Sequence, residues 1–383
     1  MSDGNGAADD DSDGRRRRVI AAALRAAYAW TRRGDQPRAM REVARMTGIV
    51  MEAHGPGRGP VTPHGLVQCL HRPLGGLLEF ATDADEMIRA AVLLDDGGLT
   101  EEAYDLAAEY AMPLSALSGT ETWLPTWTTM HSEQIRSEVF AGMIGTRNQD
   151  DYVRSRTFLI EHPAGSREEI GELVSGSRIR VLGKGYVDVP DGQLHRRKDG
   201  SAWWWACPDC RWPMAVTGTK VRCRYRPHAA VFRIATDADR RPPALRRIDE
   251  GPRADVPDAR EAGGSVCLDH GVWRFIVVPG ASELRICREL RDLGADVWLW
   301  PERDAYDLRV VAGGREFRVD LKEYRSPHRL VADLRAKPPR ARVLLPRTHQ
   351  HQVDVIKSSL PGLDIVTETR FRSEVRRALK GRA

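Results

Sequence analysis

Two aspartates and a lysine lie within YDLRVVAGGREFRVDLKEY, the stretch at residues 306–324. A Gly-Gly pair separates two apolar-rich runs, and it predicts a two-residue hairpin turn because both glycines can take positive φ. Counting outward from this turn places Asp307 directly opposite Asp320, with β-carbons about 4.5–5.5 Å apart. Lys322 comes two residues later and projects on the same side of its strand. The stretch therefore predicts two carboxylates and an ammonium group close together.

Opposed carboxylates repel each other, and a bound divalent cation would offset this repulsion. Mg²⁺ is typically held by one or two carboxylates together with water and phosphate oxygens. A lysine beside such an ion can orient or activate a water molecule and stabilise developing charge. We therefore expect Asp307 and Asp320 to bind Mg²⁺ (or Mn²⁺), with Lys322 acting on the water that attacks a phosphodiester. In the alternative interpretation the hairpin is solvated, and Asp320 pairs with Arg309 or Arg318.

Two further observations favour the catalytic interpretation of this hairpin. Lysine is scarce, since only seven of the 59 Lys and Arg residues are lysines, so a lysine at this position is less expected by chance. The opposite face of the hairpin is apolar and predicts a core face. Its residues are Leu308, Val310, Phe317, Val319 and Leu321.

A second group of residues has the types and spacing of a zinc site. The pattern is C-x2-C-x12-C-x4-H, formed by Cys207, Cys210, Cys223 and His228. Thiolate and imidazole ligands suit tetrahedral zinc, and four protein ligands close the coordination shell, which is typical of a structural site. Cys267 is an alternative fourth ligand, because it lies in a second half-site with His270. The other interpretation is that Cys207 and Cys210 are reduced core thiols or a redox pair.

Tryptophans flank the cysteines, in the stretch AWWWACPDCRWPM at residues 202–214. Tryptophan is large and mostly buried on average, so we expect these rings to pack beside the zinc module. Stacking on the bases of a single-stranded nucleic acid is the alternative.

The composition predicts a folded protein of two or three parts. The chain has 383 residues, 41% of them hydrophobic, and a formal net charge of +5. This charge is a weak indication of a polyanionic partner and would not by itself support nucleic-acid binding. An apolar run follows four arginines near the N-terminus, but Arg25 interrupts it, which argues against a secretion signal. No segment reaches about 18 consecutive apolar residues, and we expect a cytoplasmic protein.

Composition and periodicity divide the chain into five segments. They are a disordered acidic and basic tail (1–18), a mainly helical region (19–150), a mixed α/β region with a small zinc-ribbon-like module (151–235), a linker rich in Pro, Gly and charge (236–264) and a C-terminal α/β domain (265–383). In the third segment we expect a strand at RTFLIEH. In the last segment we expect a strand at VWRFIVV, then a helix, three strands that include the hairpin, a helix and a further strand.

The C-terminal pattern resembles a known class of nucleases. Asp307 followed by Asp320-Leu321-Lys322, with a helix before and a helix and a strand after, resembles the PD-(D/E)xK restriction-endonuclease-like proteins over about residues 266–370. The resemblance implies an αβββαβ core, Mg²⁺-dependent DNA cleavage and a further acid from the preceding helix. Glu283 fits that place, and Glu289 is a weaker choice. The alternative for Glu283 is an acid favoured by the dipole at the helix N-terminus.

A narrower resemblance rests on four stretches, WWWACPDCRWPM, VWRFIVVPG, DAYDLRV and VDLKEYRSP. Together they resemble the restriction-endonuclease-like protein associated with prokaryotic PIWI-RE (pPIWI-RE) systems. The resemblance implies a role in defence against invading DNA, with a PIWI-RE-type protein and a helicase as partners. One active site per chain implies that cutting both strands needs a homodimer or DNA opened by the helicase. The alternatives are an inactive zinc-ribbon subunit for nucleic-acid binding or assembly, and a zinc-ribbon transcriptional regulator.

Overall fold

The computed structural model describes residues 5–78, 86–95, 98–110, 148–177, 185–225, 227–235, 242–249 and 255–381. The chain forms two compact units. Unit 1 consists of Met1–Glu133, Lys322–Pro339 and His349–Ile365, and unit 2 consists of Gln134–Leu321, Arg340–Thr348 and Val366–Ala383. Within the described ranges, no helix is both long enough and apolar enough to cross a membrane.

The described residues of the N-terminal part of unit 1 are mainly helical, as the sequence predicts for 19–150. Residues 111–147 of that predicted region lie outside the described ranges. Its elements are α1 (Asn5–Thr31), α2 (Ala39–His54), α3 (Pro63–Leu70), a 3-10 turn (Leu74–Leu77), α4 (Glu86–Arg89), β1 (Leu94–Asp95), β2 (Gly98–Leu99) and α5 (Glu101–Tyr110). An alanine-rich face of α1 is buried against α2, with Ile20 and Leu24 packed in one cluster with Val43 and Met46. Because α1 begins at Asn5, the structure differs from the disordered tail predicted for 1–18. Extending a helix already anchored by packing costs little per residue, which composition alone does not show.

The middle of the chain belongs to unit 2 and consists mostly of short strands. Its elements are α6 (Gln149–Glu161), β3 (Ala164–Ser166), α7 (Arg167–Ser177), β4 (Tyr186–Asp188), a 3-10 turn (Asp191–Gln193), β5 (His195–Arg196), β6 (Ala202–Trp205), β7 (Ala215–Thr217), β8 (Lys220–Arg222), β9 (Val231–Ile234), β10 (Leu245–Arg247), β11 (Ala259–Glu261) and β12 (Ser265–Leu268). The strands form sheets in the orders β10-β9-β8-β7, β11-β6-β5 and β3-β12-β4.

Two sequence predictions are wrong in this region. RTFLIEH is the second half of helix α6, which is capped at its start by the Asn148 side chain and buries Phe158 and Leu159. A short apolar run does not distinguish a strand from a buried helix. The segment predicted as a linker, 236–264, contains β10 and β11, which pair with β9 and β6. Pairing with strands outside the segment is invisible in the composition of the segment itself.

The C-terminal elements form an α/β arrangement. They are α8 (His270–Val272), a π-helical turn (Trp273–Val277), α9 (Val278–Asp292), β13 (Asp296–Leu299), a turn (Pro301–Asp304), β14 (Leu308–Ala312), β15 (Arg315–Leu321), α10 (Pro327–Ala336), β16 (Arg342–Leu345), a 3-10 turn (Arg347–Gln352), α11 (Val353–Ser359), β17 (Ile365–Thr367) and α12 (Glu368–Lys380). The strand expected at VWRFIVV is wrong, because this run is helical. Five of its seven residues are buried, and a short apolar run of this kind suits a buried helix as well as a strand.

The five strands β13 to β17 form one sheet in chain order. Its first three strands are antiparallel, and β16 runs parallel to β15. The succession α9, β13, β14, β15, α10, β16 is the order of elements expected from the sequence. Of these, α10 belongs to unit 1 and the others to unit 2.

Candidate functional site

The hairpin has the register counted from its glycine turn. Leu308 pairs with Val319, and one further step places Asp307 opposite Asp320. Leu308, Val310 and Val319 are fully buried, which confirms the predicted core face. Asp307 is itself buried, and its Oδ2 accepts a hydrogen bond of 2.6 Å from the backbone N–H of Leu321. This bond fixes the orientation of the Asp307 carboxylate at the strand end.

Lys322 follows directly after strand β15. Its side chain is half-buried. The boundary between the two compact units falls between Leu321 and Lys322, so the two aspartates belong to unit 2 and the lysine to unit 1. The geometry of Lys322 toward the carboxylates therefore stays a prediction based on its position two residues after Asp320.

Glu283 lies in helix α9 and is buried within a set of charged and aromatic partners. Arg156 of α6 donates from Nη2 to both Glu283 carboxylate oxygens, at 3.0 and 3.2 Å. Trp300 Nε1 also donates to Glu283. From its other terminal nitrogen, Arg156 donates to Asp304 and, at 3.1 Å, to the Tyr152 hydroxyl. The acid that the sequence analysis adds to the catalytic site is therefore engaged by a buried arginine.

Arg156 is not among the site residues predicted from the sequence. Burial alone would lower the pKa of this guanidinium, but the carboxylates of Glu283 and Asp304, and further off that of Asp307, raise it above its ordinary value. Arg156 is therefore a permanent buried cation balanced by carboxylates. Predicting residues 149–161 as a helix would have indicated that Arg156 is buried, because a helix places Arg156 on the same face as Tyr152 and Ile160.

The turn between β13 and β14 leads directly to Asp307 and has unusual backbone angles. Positive φ occurs at Trp300 (47°), Glu302 (56°), Arg303 (58°) and Asp304 (79°), and each such non-glycine residue costs about 1–2 kcal/mol. Gln149 of α6 holds the turn, since its side chain donates to the Trp300 carbonyl at 2.8 Å and accepts from the Arg303 N–H at 2.9 Å. The Trp300 N–H donates to the Asp307 carbonyl at 2.7 Å. Helix α6 thus stabilises the approach to Asp307.

The predicted cysteine and histidine ligands come together in unit 2. The ligand atoms of Cys207, Cys210, Cys223 and His228 all lie within 4.8 Å of one another. The Sγ atoms of Cys210 and Cys223 are 3.8 Å apart, and His228 Nδ1 is 3.4 Å from Cys223 Sγ and 3.7 Å from Cys207 Sγ. Zn–S and Zn–N bonds of about 2.3 and 2.0 Å in a tetrahedron give edges of about 3.8 and 3.5 Å. The cluster has these dimensions, and a disulfide would need sulfur atoms about 2 Å apart.

Tryptophan rings surround the cysteine and histidine cluster. Trp273 Nε1 donates to Cys210 Sγ at 3.3 Å. Trp212 stacks on Trp273 with ring centroids 4.4 Å apart, and its own Nε1 donates to the Leu268 carbonyl at 2.8 Å. The tryptophans of the AWWWACPDCRWPM stretch are all buried, as expected for packing beside the module. Cys267 lies in β12 outside the cluster, so His228 and not Cys267 completes the set.

The thiols of the cluster differ in their ionisation. Burial, followed by the neighbouring thiols, raises the pKa of Cys223. Burial also opposes ionisation of Cys210, but hydrogen bonds from Cys207 and Cys223 outweigh it and hold the pKa of Cys210 well below its ordinary value. A buried thiolate of this kind is a ligand type that a soft or borderline cation such as zinc favours.

Two segments of the chain match family models. Residues 280–383 match the model described as "REase associating with pPIWI_RE", and residues 15–166 match the model described as "pPIWI_RE three-gene island domain Y". The chain is therefore similar, over two separate segments, to domains associated with pPIWI_RE gene islands. No curated protein and no solved structure matches the chain. Arg156 lies in the first matched segment and its partners Glu283 and Asp304 in the second, so the two segments meet inside unit 2.

Proposed function

We propose that this chain is a metal-dependent DNA endonuclease, the nuclease component of a pPIWI-RE-type defence system against invading DNA. One observation carries the proposal. The segment similar to a REase associating with pPIWI_RE, residues 280–383, contains the hairpin whose register sets Asp307 opposite Asp320. The succession of elements around that hairpin supports the assignment of its fold to the PD-(D/E)xK class.

In this proposal Asp307 and Asp320 hold Mg²⁺ or Mn²⁺. The two side chains fit such an ion because they offer oxygen ligands from paired strands, and opposed carboxylates need a positive charge between them. A bound ion would polarise the scissile phosphate and make a coordinated water more acidic. The Leu321 N–H orients Asp307, and Lys322 orients the attacking water and stabilises charge developing on the phosphate.

Glu283 is not proposed as a metal ligand in its observed position. Its carboxylate is bound by Arg156 and Trp300, so it would ligate a metal only after releasing these partners. In its observed position Glu283 binds the indole N–H of Trp300. The backbone N–H of the same Trp300 donates to the Asp307 carbonyl. We therefore assign to Glu283 the positioning of the turn before Asp307.

The Cys207, Cys210, Cys223 and His228 cluster is proposed to bind zinc as a structural site. Its three cysteines are buried, and four protein ligands leave no coordination position for a substrate. Purified protein should contain about one zinc per chain by elemental analysis. His228→Ala should lose most of this zinc, whereas Cys267→Ala should retain it. Full zinc in His228→Ala together with loss in Cys267→Ala would overturn the ligand assignment.

The proposed partners follow from the same similarity. A PIWI-RE-type protein would be the associated component, with a helicase to open DNA. Because each chain carries one set of Asp307, Asp320 and Lys322, cleavage of both strands requires a homodimer or two successive nicks.

The test of the proposed function is cleavage of plasmid and single-stranded DNA with Mg²⁺, Mn²⁺ or EDTA, alone and with co-expressed partner proteins. Asp320→Asn and Lys322→Ala should each reduce metal-dependent cleavage by about 10²-fold or more. Asp296→Asn is the matched control, because Asp296 is an exposed acid in the neighbouring strand β13. Mn²⁺ binding measured by calorimetry should be lost in Asp320→Asn and kept in the control.

A second candidate function is an inactive assembly or nucleic-acid-binding subunit. The observation that favours it is the buried ion pair of Glu283 with Arg156, which occupies one acid of the predicted site. Absence of cleavage by the native protein with its partners, together with Mn²⁺ binding that is unchanged in Asp320→Asn, would establish this function in place of the nuclease.

A further inference from the structure

A groove lies in unit 2 beside the turn that leads to Asp307. It is formed between α6 and the outer face of β13 and β14, and Val153, Trp298, Pro301, Arg291 and Arg309 contribute to its wall. The groove thus combines apolar and cationic side chains. None of the residues proposed to hold a metal lines it.

Trp298 gives this groove an unusual feature. Of the tryptophans that the structure describes, Trp298 alone is exposed, with 46% of its surface accessible. The guanidinium carbon of Arg309 lies 4.9 Å from the Trp298 ring centroid. The exposed indole and the cation beside it together offer a platform for a flat ligand that carries a negative charge.

The sheet register places this platform on the same face as the candidate metal ligands. Trp298 pairs with Arg309, which in turn pairs with Arg318. Side chains two residues apart on a strand share a face and are separated by about 7 Å. Arg309 is two residues from Asp307, and Arg318 is two residues from Asp320.

The charged side chains that line the groove carry a small net positive charge, from three arginines and two acids. Arg154, Arg291 and Arg309 lie on its wall against the acids Asp150 and Glu302. Arg309 donates to Glu316 at 2.8 and 2.9 Å, and this pair is exposed. An exposed ion pair is worth little, so a phosphate can replace the carboxylate at small cost.

We propose that the groove binds one unpaired nucleotide of a DNA strand, with its base stacked on Trp298 and its phosphate on Arg309. Stacking on an indole needs a free base face, which a base inside a duplex does not offer. The site therefore selects single-stranded or frayed DNA over intact duplex. Its role in leading a strand to Asp307 and Asp320 rests on the proposed nuclease function, whereas the binding itself does not.

The experiment measures binding of the full-length protein to a twelve-nucleotide oligothymidylate containing one 2-aminopurine. No Mg²⁺ or Mn²⁺ is added, so that no cleavage occurs, and no chelator is used, so that the zinc proposed for the cysteine cluster is kept. Stacking on Trp298 should quench the probe. Trp298→Ala should weaken binding about 5- to 150-fold, as expected from about 1–3 kcal/mol per stacked base, and Trp298→Phe should recover most of it. Arg309→Gln should weaken binding and reduce the slope of log affinity against log salt by about one.

The matched control is Val256→Ala, which shortens another exposed apolar side chain of unit 2 and should leave binding unchanged. A blunt duplex of the same length should bind more weakly than the single strand. The proposal would be overturned if Trp298→Ala bound the single strand with an affinity within twofold of the native protein, or if the native protein preferred the blunt duplex. Tighter binding of the native protein to an RNA strand of the same length than to the DNA strand would also overturn it. Because the binding measurement contains no added Mg²⁺ or Mn²⁺, it tests the groove independently of cleavage. Loss of cleavage in Asp320→Asn with unchanged binding would therefore distinguish the groove from the nuclease site.

Discussion

Arg156 shows how much one buried charge can determine. Its side chain and that of Glu283 are only 4% and 3% exposed, so neither charge is stabilised by water. A buried ion pair gains little net stability, but removing one partner leaves the other charge without compensation. Arg156 also binds Asp304 in the turn of positive φ. One side chain therefore holds both an acid and the segment that precedes Asp307.

We expect Arg156→Met to reduce the free energy of unfolding by about 3–5 kcal/mol, because the buried Glu283 carboxylate loses its positive counter-charge. Urea denaturation measures this loss. Arg154→Met is the matched control on the same helix, since Arg154 is exposed and pairs with Asp151 at the surface. The double variant Arg156→Met with Glu283→Met should recover part of the loss. Equal stability of Arg156→Met and the native protein would contradict the role assigned to this pair.

The hairpin of β14 and β15 is held at its tip by helix α12. A β-carbon added at Gly313 would lie 1.9 Å from the Ala378 carbonyl oxygen, whereas one added at Gly314 would meet open space. Farther along, the rings of Phe317 and Phe371 pack edge to face with centroids 5.7 Å apart. The turn glycines therefore have different roles although both have positive φ.

We expect Gly314→Ala to cost about 1–2 kcal/mol, because only the left-handed backbone conformation opposes it. Gly313→Ala should cost at least about 1–3 kcal/mol more, because helix α12 must also shift. Thermal or urea unfolding of the two variants gives the comparison. Equal destabilisation would show that α12 does not pack on the turn as described.

Helix α12 is joined to α9 by a charged network centred on Glu368. Arg285 of α9 donates to both Glu368 oxygens at 2.8 Å, and the Arg347 N–H donates at 3.2 Å. Burial alone would raise the pKa of Glu368, but the hydrogen bonds and charge of Arg285, with the charge of Arg347, lower it. The ionised form of Glu368 is therefore the one that stabilises the contact between the helices.

This direction predicts a pH dependence. A native-state pKa below the unfolded value of about 4.3 contributes stability that is present above pH 5 or so and is lost as the pH falls through the native-state pKa. The stability difference between the native protein and Glu368→Gln should therefore be largest near pH 7 and shrink toward pH 3. The measurement is urea unfolding at several pH values. A difference that does not change with pH would contradict the ionised state assigned to Glu368.

At the scale of the whole molecule, unit 2 is not confined to the C-terminal segment of the chain. It includes described residues from 148 onward and returns at Arg340–Thr348 and Val366–Ala383. Its core joins Tyr152 and Phe158 of α6 to the tryptophans beside the cysteine cluster and to the sheet. The predicted boundary of a nuclease-like domain at residue 265 therefore cuts through a continuous core.

We expect residues 265–383 expressed alone to lack cooperative unfolding, because Trp273 loses its stacking partner Trp212 and Glu283 loses Arg156. A fragment of residues 148–383 restores both contacts and should regain the near-ultraviolet circular dichroism of packed tryptophans. Cooperative unfolding of residues 265–383 by themselves would show that the sequence-based boundary is correct after all.

From the sequence alone, the hairpin register and the zinc-type ligand set could be predicted, because both depend on local rules. Two glycines set the turn, strand periodicity then sets which residues oppose each other, and the spacing of Cys207, Cys210 and Cys223 is typical of a short metal module. The succession of helices and strands after Ala281 followed from similar local patterns.

Tertiary structure decided the partners that come from far along the chain. Whether VWRFIVV and RTFLIEH are helices or strands depends on what covers them, since apolar runs of that length suit either. Strand β10 forms because it pairs with β9, and strand β11 forms because it pairs with β6. The pairing of Glu283 with Arg156 joins residues 127 positions apart, and only the packing of α6 against α9 brings these charges together in a buried space where neither can remain alone.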